Sequence, residues 1–282
     1  MMTPMHAPTL TMNDGRDIPQ LGLGVYKVPD AEAARVVEIA LDAGYRHVDT
    51  ASLYNNERGV GNGVRASGVP RDEVFVTTKV WDDDHGFDKT RRAFDTSLEL
   101  LGFDYVDLYL IHWPVPSKDL FVETWRALEA IKADGRALSI GVSNFEPHHI
   151  DRLLADTERA TGTGTVPAIN QVELHPWLPQ REVRDYNASH GILTEAWSPL
   201  ARGRLIGDAV LDSIAAKHER SAAQVVIRWH LQLGNLVIPK SVTASRIVEN
   251  FDVFDFTLDA TDLAAIAGLE SGLRTGMTPD AH

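Results

Sequence analysis

The sequence has no cysteine. That absence excludes disulfides, thiolate-bound zinc and a cysteine nucleophile, and it agrees with a reducing compartment. Long apolar runs are missing too. Nothing approaches the roughly 20 residues needed to cross a bilayer, and Met1 to Leu10 lacks the basic stretch and apolar core of a signal peptide. A cytoplasmic location is expected. Basic residues are scarce, 27 Lys and Arg against 40 Asp and Glu, for a formal net charge of −13. A nucleic-acid binder needs a basic face, so this balance speaks against that class. An anionic ligand stays possible, because a phosphate site needs only a few local donors and cations. The G-x-G-x-x-G fingerprint of a dinucleotide-binding sheet is also absent. Gly22-Leu23-Gly24 lacks the third glycine, and Gly59-Val60-Gly61-Asn62-Gly63 follows a loop. A dinucleotide would have to be held another way.

The 282 residues are 44% hydrophobic and 24% charged, enough to bury a substantial core. A hairpin opens the chain, with Thr9-Leu10-Thr11-Met12 and Ile18 flanking the turn Asn13-Asp14-Gly15-Arg16. Strand candidates then recur at Leu21–Val25, His47–Thr50, Val74–Val80, Val106–His112, Leu138–Val142, Ala168–Leu174, Leu193–Trp197 and Leu236–Pro239. Helical patterns lie between them at Ala31–Ala43, Lys89–Leu101, Leu120–Ala133, Pro147–Ala155, Glu182–His190, Asp208–Lys217 and Ala222–Leu233. Gly44, Gly102, Gly135, Gly191 and Gly234 stand near helix ends. Eight strands alternating with helices predict an α/β (β/α)8 TIM barrel with an N-terminal β-hairpin and a short C-terminal loop. A doubly wound sheet is the rival. No linker, repeat or low-complexity segment divides residues 1–282, and Thr161-Gly162-Thr163-Gly164-Thr165 reads as a flexible loop before a strand. No coiled coil or large apolar stripe asks for a second chain, so a monomer is expected.

In such barrels the C-terminal ends of strands build the active site. Asp49 ends one strand candidate and Tyr54 follows it. Lys79 sits near the end of the next, and His112 ends the very apolar run after that. Taken singly, Asp49 reads equally as a cap, Tyr54 as packing and His112 as a core histidine. Lys79 is odder, because a buried ammonium needs a carboxylate, and Asp49 is the natural partner. Together the four make coherent chemistry. An ammonium beside a phenol stabilises the phenolate and lowers its pKa, and an imidazole can hydrogen-bond a substrate oxygen. Such a set protonates an oxyanion as a hydride reaches its carbon.

Six segments carry a resemblance: Gly44-Tyr45-Arg46-His47-Val48-Asp49-Thr50-Ala51, Thr77-Thr78-Lys79-Val80-Trp81, Asp107-Leu108-Tyr109-Leu110-Ile111-His112-Trp113-Pro114, Ile140-Gly141-Val142-Ser143-Asn144-Phe145, Asn170-Gln171-Val172-Glu173-Leu174-His175-Pro176 and Ile238-Pro239-Lys240-Ser241. In order and over nearly the whole chain, they resemble the aldo-keto reductase superfamily. Gly24-Val25-Tyr26-Lys27-Val28 and Phe251-Asp252-Val253-Phe254-Asp255-Phe256 are similar to the bacterial branch that contains the 2,5-diketo-D-gluconate reductases. The resemblance implies NADPH-dependent reduction of aldehydes or ketones (diketones, keto-sugars, small carbonyls). It makes Asp49, Tyr54, Lys79 and His112 the catalytic tetrad, with Tyr54 as general acid. It assigns the nicotinamide carboxamide to Ser143, Asn144 and Gln171, the nicotinamide ring to Trp197, and the pyrophosphate to Ser198, Pro199 and Leu200. Lys240, Ser241 and Arg246 match the pocket of the adenosine 2′-phosphate, and Glu249 and Asn250 the adenine contacts. Thr243 departs from the basic residue of some relatives, which weakens the preference for NADPH over NADH. Tyr26, Trp81, His112 and Trp113 are implied at the substrate mouth.

Other features read more plainly. Trp125, Trp177 and Trp229 are expected in the core or in helix packing. Asp82-Asp83-Asp84 reads as a solvated loop start, and His148-His149 as a surface pair without a third ligand. The tail from Ser271 to Met277 is expected to close over the pocket, yet its shortness suggests an open site, with Arg274 either solvated or attracting acidic substrates. No metal is expected. Two other functions fit parts of the pattern: a Schiff-base lyase using Lys79, disfavoured because Asp49 keeps that amine charged, and a cofactor-binding sensor or regulatory protein on the same fold.

Overall fold

The computed structural model describes residues 7–161 and 164–282. The first six residues, and Gly162 and Thr163 of the expected Thr161–Thr165 loop, lie outside the described residues. Strands β1 (Thr9–Thr11) and β2 (Asp17–Pro19) form the antiparallel hairpin. Eight parallel strands follow: β3 (Leu23–Gly24), β4 (His47–Asp49), β5 (Phe75–Val80), β6 (Val106–Ile111), β7 (Ala137–Ser143), β8 (Ile169–Glu173), β9 (Leu193–Trp197) and β10 (Leu236–Val237). Their spatial order is their order in sequence. Leu21 bridges in parallel to Val237, with the Gly22 N–H donating to the Val237 carbonyl at 2.9 Å and the Val237 N–H to the Gln20 carbonyl at 3.0 Å. The first strand thereby meets the last and the sheet closes into a barrel. A doubly wound sheet would have reversed strand order midway.

The helices are α1 (Asp30–Asp42), α2 (Glu57–Ala66), α3 (Phe87–Leu101), α4 (Phe121–Ala133), α5 (Pro147–Thr161), α6 (Arg181–Ser189), α7 (Ala209–His218), α8 (Ala222–Gln232), α9 (Ala244–Phe251) and α10 (Ala260–Ala267). Strand residues alternate in facing because their period is two. Along β6, Tyr109 and Ile111 join the core under the helices, while Leu108 and Leu110 join a second core with Phe75, Ile169, Leu236 and the hairpin's Met12 and Ile18. The hairpin thus plugs one end of the barrel. The opposite end, where the strands finish, is left for chemistry.

All five glycines expected at helix ends adopt positive φ. Three helices were not among the expected patterns: α2, α9 and α10. Helix α2 has three glycines, which weaken local propensity by about 1 kcal/mol each. Packing supplies the reason for them. A Cβ on Gly59 would lie 2.3 Å from the Asp30 carbonyl oxygen, one on Gly63 2.6 Å from that of Ala34, and one on Gly61 1.9 Å from that of Leu101. The glycines let α2 press against α1 on one side and the end of α3 on the other.

Candidate active site

Asp49 is the last residue of β4, Lys79 lies one before the end of β5, and His112 follows β6 directly. Tyr54 closes a short 3-10 turn, Ser52–Tyr54, whose Ser52 hydroxyl donates to the Lys79 carbonyl at 3.0 Å. Lys79 is fully buried, and its Nζ donates to Asp49 Oδ1 at 2.6 Å and to the Thr50 carbonyl at 2.9 Å. Its distance to the Tyr54 hydroxyl is 3.5 Å. The rings of Tyr54 and His112 stand edge to face, 5.6 Å between centroids. The structure therefore brings the four residues together.

Burial works to discharge Lys79, but the charge and hydrogen bond of Asp49 outweigh it and hold its pKa above the usual value. Burial, with Lys79 nearby, pushes His112 well below the usual imidazole range, so its ring is neutral. Tyr54 corrects one expectation. Lys79 does favour the phenolate, yet burial of the phenol wins and raises its pKa to about 12. The phenol is held protonated at neutral pH, the form in which it can give a proton.

A cavity of about 830 Å³ opens at this end of the barrel. Every candidate site residue named from the sequence lines it except Lys79, which lies behind Asp49 and Tyr54. At the inner wall Trp197 Nε1 donates to Asn144 Oδ1 at 2.8 Å, and Asn144 Nδ2 donates to the His112 carbonyl at 2.9 Å. Asn144 takes a left-handed backbone, φ 63°, held by its own N–H on the Gln171 carbonyl. The Ser143 hydroxyl also donates to that carbonyl, at 2.8 Å. Gln171 Nε2 reaches across the barrel to Asp49 Oδ2 at 2.8 Å and sideways to Glu195 Oε2 at 2.5 Å. Elsewhere along the same cavity stand the exposed cations Lys240 and Arg246, with Ser241 buried between them. Neither cation has a carboxylate within ion-pair distance among the described residues. Unpaired cations beside a hydroxyl suit a phosphate dianion, so the donor set fits a phosphorylated dinucleotide.

The tail is longer in effect than expected. Gly276, Met277 and His282 all line the cavity. Glu173 clamps the segment, accepting from the Thr275 N–H at 2.5 Å, its hydroxyl at 2.6 Å and the Gly276 N–H at 2.9 Å. The His282 ring stacks on Trp113 and hydrogen-bonds Asp82. Arg274 is half-buried and paired rather than solvated. It donates to Glu146 at 3.2 Å and lies outside the cavity lining. Asp82 is buried rather than solvated, and Asp83 pairs with Lys118. His149 is likewise buried, not on the surface, with Asp280 3.1 Å from its Nε2 and also 3.0 Å from His148 Nε2. His149 Nδ1 accepts from the Glu146 N–H, which leaves the ring proton on Nε2 and no lone pair there for a metal. Trp125 and Trp229 are buried and Trp177 packs against the core, as expected.

Several lining residues have no counterpart in the sequence reading: Leu53, Arg202, Ile206, His282 and the first turn of α8 at Ser221, Ala222 and Ala223. The α8 start was legible in principle. Ser221 and Gln224 form a reciprocal capping box. Glu195 and Glu173 were legible as acids inside apolar strands.

A model of the aldo/keto reductase family matches residues 20–271. The chain is 50% identical over 273 residues to the glyoxal reductase of Bacillus subtilis, covering 96% of each chain. It is 48% identical to methylglyoxal reductase DkgA of Escherichia coli, covering 98% of each. Among solved structures, an Asp-to-Ala variant of Gox0644 in complex with NADPH superposes with a TM-score of 0.92 at 48% identity, covering 99% of both chains.

Proposed function

The chain belongs to the aldo/keto reductase family, and from that premise we propose that it reduces aldehydes and ketones to alcohols with NADPH, Tyr54 giving the proton. The observation that carries this reading is the 3.5 Å approach of the buried, Asp49-held Lys79 ammonium to the Tyr54 hydroxyl, beside a neutral His112.

NADPH, when bound, supplies the hydride. Lys240, Ser241 and Arg246 would take its 2′-phosphate, Glu249 and Asn250 its adenine, Ser198, Pro199 and Leu200 its pyrophosphate. Trp197 would stack on the nicotinamide, with Ser143, Asn144 and Gln171 at the carboxamide. The protein's part is to manage one proton. His112 orients the carbonyl by hydrogen-bonding its oxygen, and the Tyr54 O–H protonates that oxygen as negative charge grows there. Lys79 stabilises the charge left on the phenol oxygen, and Asp49 keeps Lys79 protonated and in place. The same pairing opposes a Schiff base at Lys79, which needs a neutral amine.

For substrate we propose small aldehydes and vicinal dicarbonyls, with diketones and keto-sugars as the next candidates. Tyr26, Trp81, Trp113 and His282 give the mouth a compact aromatic wall, and two relatives carry the names glyoxal and methylglyoxal reductase. We read residues 1–282 as one domain acting as a cytoplasmic monomer. No coiled coil or large apolar stripe in the sequence asks for a partner, and NADPH is a cytoplasmic reductant.

The test is turnover of NADPH or NADH with a carbonyl panel, followed by absorbance, beside a Tyr54→Phe variant. Turnover with NADPH that falls by roughly 100-fold or more in the variant, with cofactor binding kept, is the expected result. If wild type binds NADPH but reduces no carbonyl, the sensor reading replaces this one.

A further inference from the structure

Glu195 is a fully buried acid of the barrel interior that the chemistry above leaves unused. It sits on β9 in register with Gln171 of β8 on one side and the apolar Leu236 of β10 on the other. Its Oε2 accepts from Gln171 Nε2 at 2.5 Å. Its Oε1 is buried without a hydrogen bond and faces His47 Nδ1, equally buried and unpartnered, at 3.8 Å. The groups around it are Asp49 and His47 from β4, Lys79 from β5 and the uncharged Gln171 from β8.

Counting charges in this closed space gives two carboxylates, Asp49 and Glu195, against one ammonium, Lys79. Burying the surplus charge is unfavourable. A single proton on the Glu195–His47 pair would neutralise it and satisfy two orphaned atoms at once. His47 is too weakly basic to keep that proton, since burial and Lys79 bring its pKa to about 3. Burial and the Asp49 charge move Glu195 the other way, to about 8. With both N–H bonds of its amide directed at carboxylates, Gln171 cannot flip without setting its oxygen against them. Its carbonyl oxygen, which no described group donates to, is left for the cavity that Gln171 lines.

We propose that Glu195 is a positioning residue of the reduction: it fixes the Gln171 amide so that the carbonyl oxygen is offered to the carboxamide N–H of a bound nicotinamide. The proposal rests on the NADPH reading above. Glu195 performs this role as a neutral acid, so the site gains a second negative charge beside Lys79 once the pH passes about 8.

Two readouts test it without turnover. In the infrared spectrum of the cofactor-free protein, a protonated-carboxyl band should bleach as the pH rises through about 8, and Glu195→Gln should lack it. Tryptophan fluorescence quenching gives the Kd for NADPH. Glu195→Leu, which frees the Gln171 amide, should weaken binding roughly tenfold or more, while Glu195→Gln, which mimics the neutral acid, should stay within about threefold of wild type. With turnover, wild type should lose kcat/KM as the pH rises through about 8, and Glu195→Gln should not. A band that persists in Glu195→Gln, or a Glu195→Leu variant that folds and binds NADPH as wild type does, would overturn the proposal. A protein that binds NADPH but reduces nothing sinks only the reductase reading, and the band and the Kd still decide for or against Glu195.

Discussion

The imidazole of His282 stacks on the indole of Trp113, 4.4 Å between ring centroids and 22° from parallel. The same imidazole meets Asp82, and the Trp81 ring lies 5.9 Å away. Residue 282 therefore lines the cavity beside Trp81 and Trp113, at the mouth proposed for the substrate. Replacing His282 with Ala removes an aromatic contact without touching the tetrad. KM for the carbonyl should change by roughly threefold to tenfold while kcat stays near wild type. A fall in kcat with KM unchanged would place His282 in the chemistry instead.

Lys240 and Arg246 have no acidic partner among the described residues, so their charge is available to a phosphate. Lys240→Ala and Arg246→Ala should each weaken NADPH binding by roughly 10- to 100-fold. NADH, which lacks the 2′-phosphate, should bind each variant as it binds wild type. Equal losses for both cofactors would show that the cations act elsewhere on the dinucleotide.

Glu173 links acid stability to the tail. Burial resists its ionisation, but donors from His175, Thr275 and Gly276 win and hold the carboxyl at about 2, against 4.5 for an ordinary glutamate. Because the folded pKa is depressed, the stabilisation is complete above pH 4.5 and is lost as the pH falls toward 2. The gap corresponds to about 3 kcal/mol at neutral pH. Glu173→Gln should lose much of that at pH 6 and little at the acid end, as read from urea unfolding at a series of pH values. A destabilisation independent of pH would rule out the carboxylate charge as its source.

Gly61 tests the α2 packing. A methyl group there would start 1.9 Å from the Leu101 carbonyl oxygen, a backbone atom that cannot step aside. Gly61→Ala should gain helix propensity and still lower stability, by about 1–3 kcal/mol or more. Calorimetry would show a reduced Tm, with the kinetics of the surviving folded protein unchanged.

Much of this was legible because strands and helices announce themselves locally. The eight strand runs, the hairpin turn and the tetrad all sit on short segments with clear patterns. What stayed hidden depends on distance. Helix α2 looks unhelical in sequence because its glycines answer to Asp30, Ala34 and Leu101, residues on other elements. The partners of His149 and Asp82 come from the far end of the chain, at Asp280 and His282, and no local pattern joins them. The Tyr54 pKa was misjudged for a related reason. Charge neighbours can be read from spacing, whereas burial is a property of the finished fold.

The bridge between Leu21 and Val237 also says when the protein can be completed during its synthesis. Asp49, Tyr54, Lys79 and His112 leave the ribosome early, all within the first half of the chain. The strand that seals their barrel follows far later, and contacts so remote in sequence form slowly. Until then β3 and β9 offer unpaired edges, the kind of surface on which nascent chains misassociate and chaperones act. A chain released before Leu236 would carry the whole tetrad and no enclosed site.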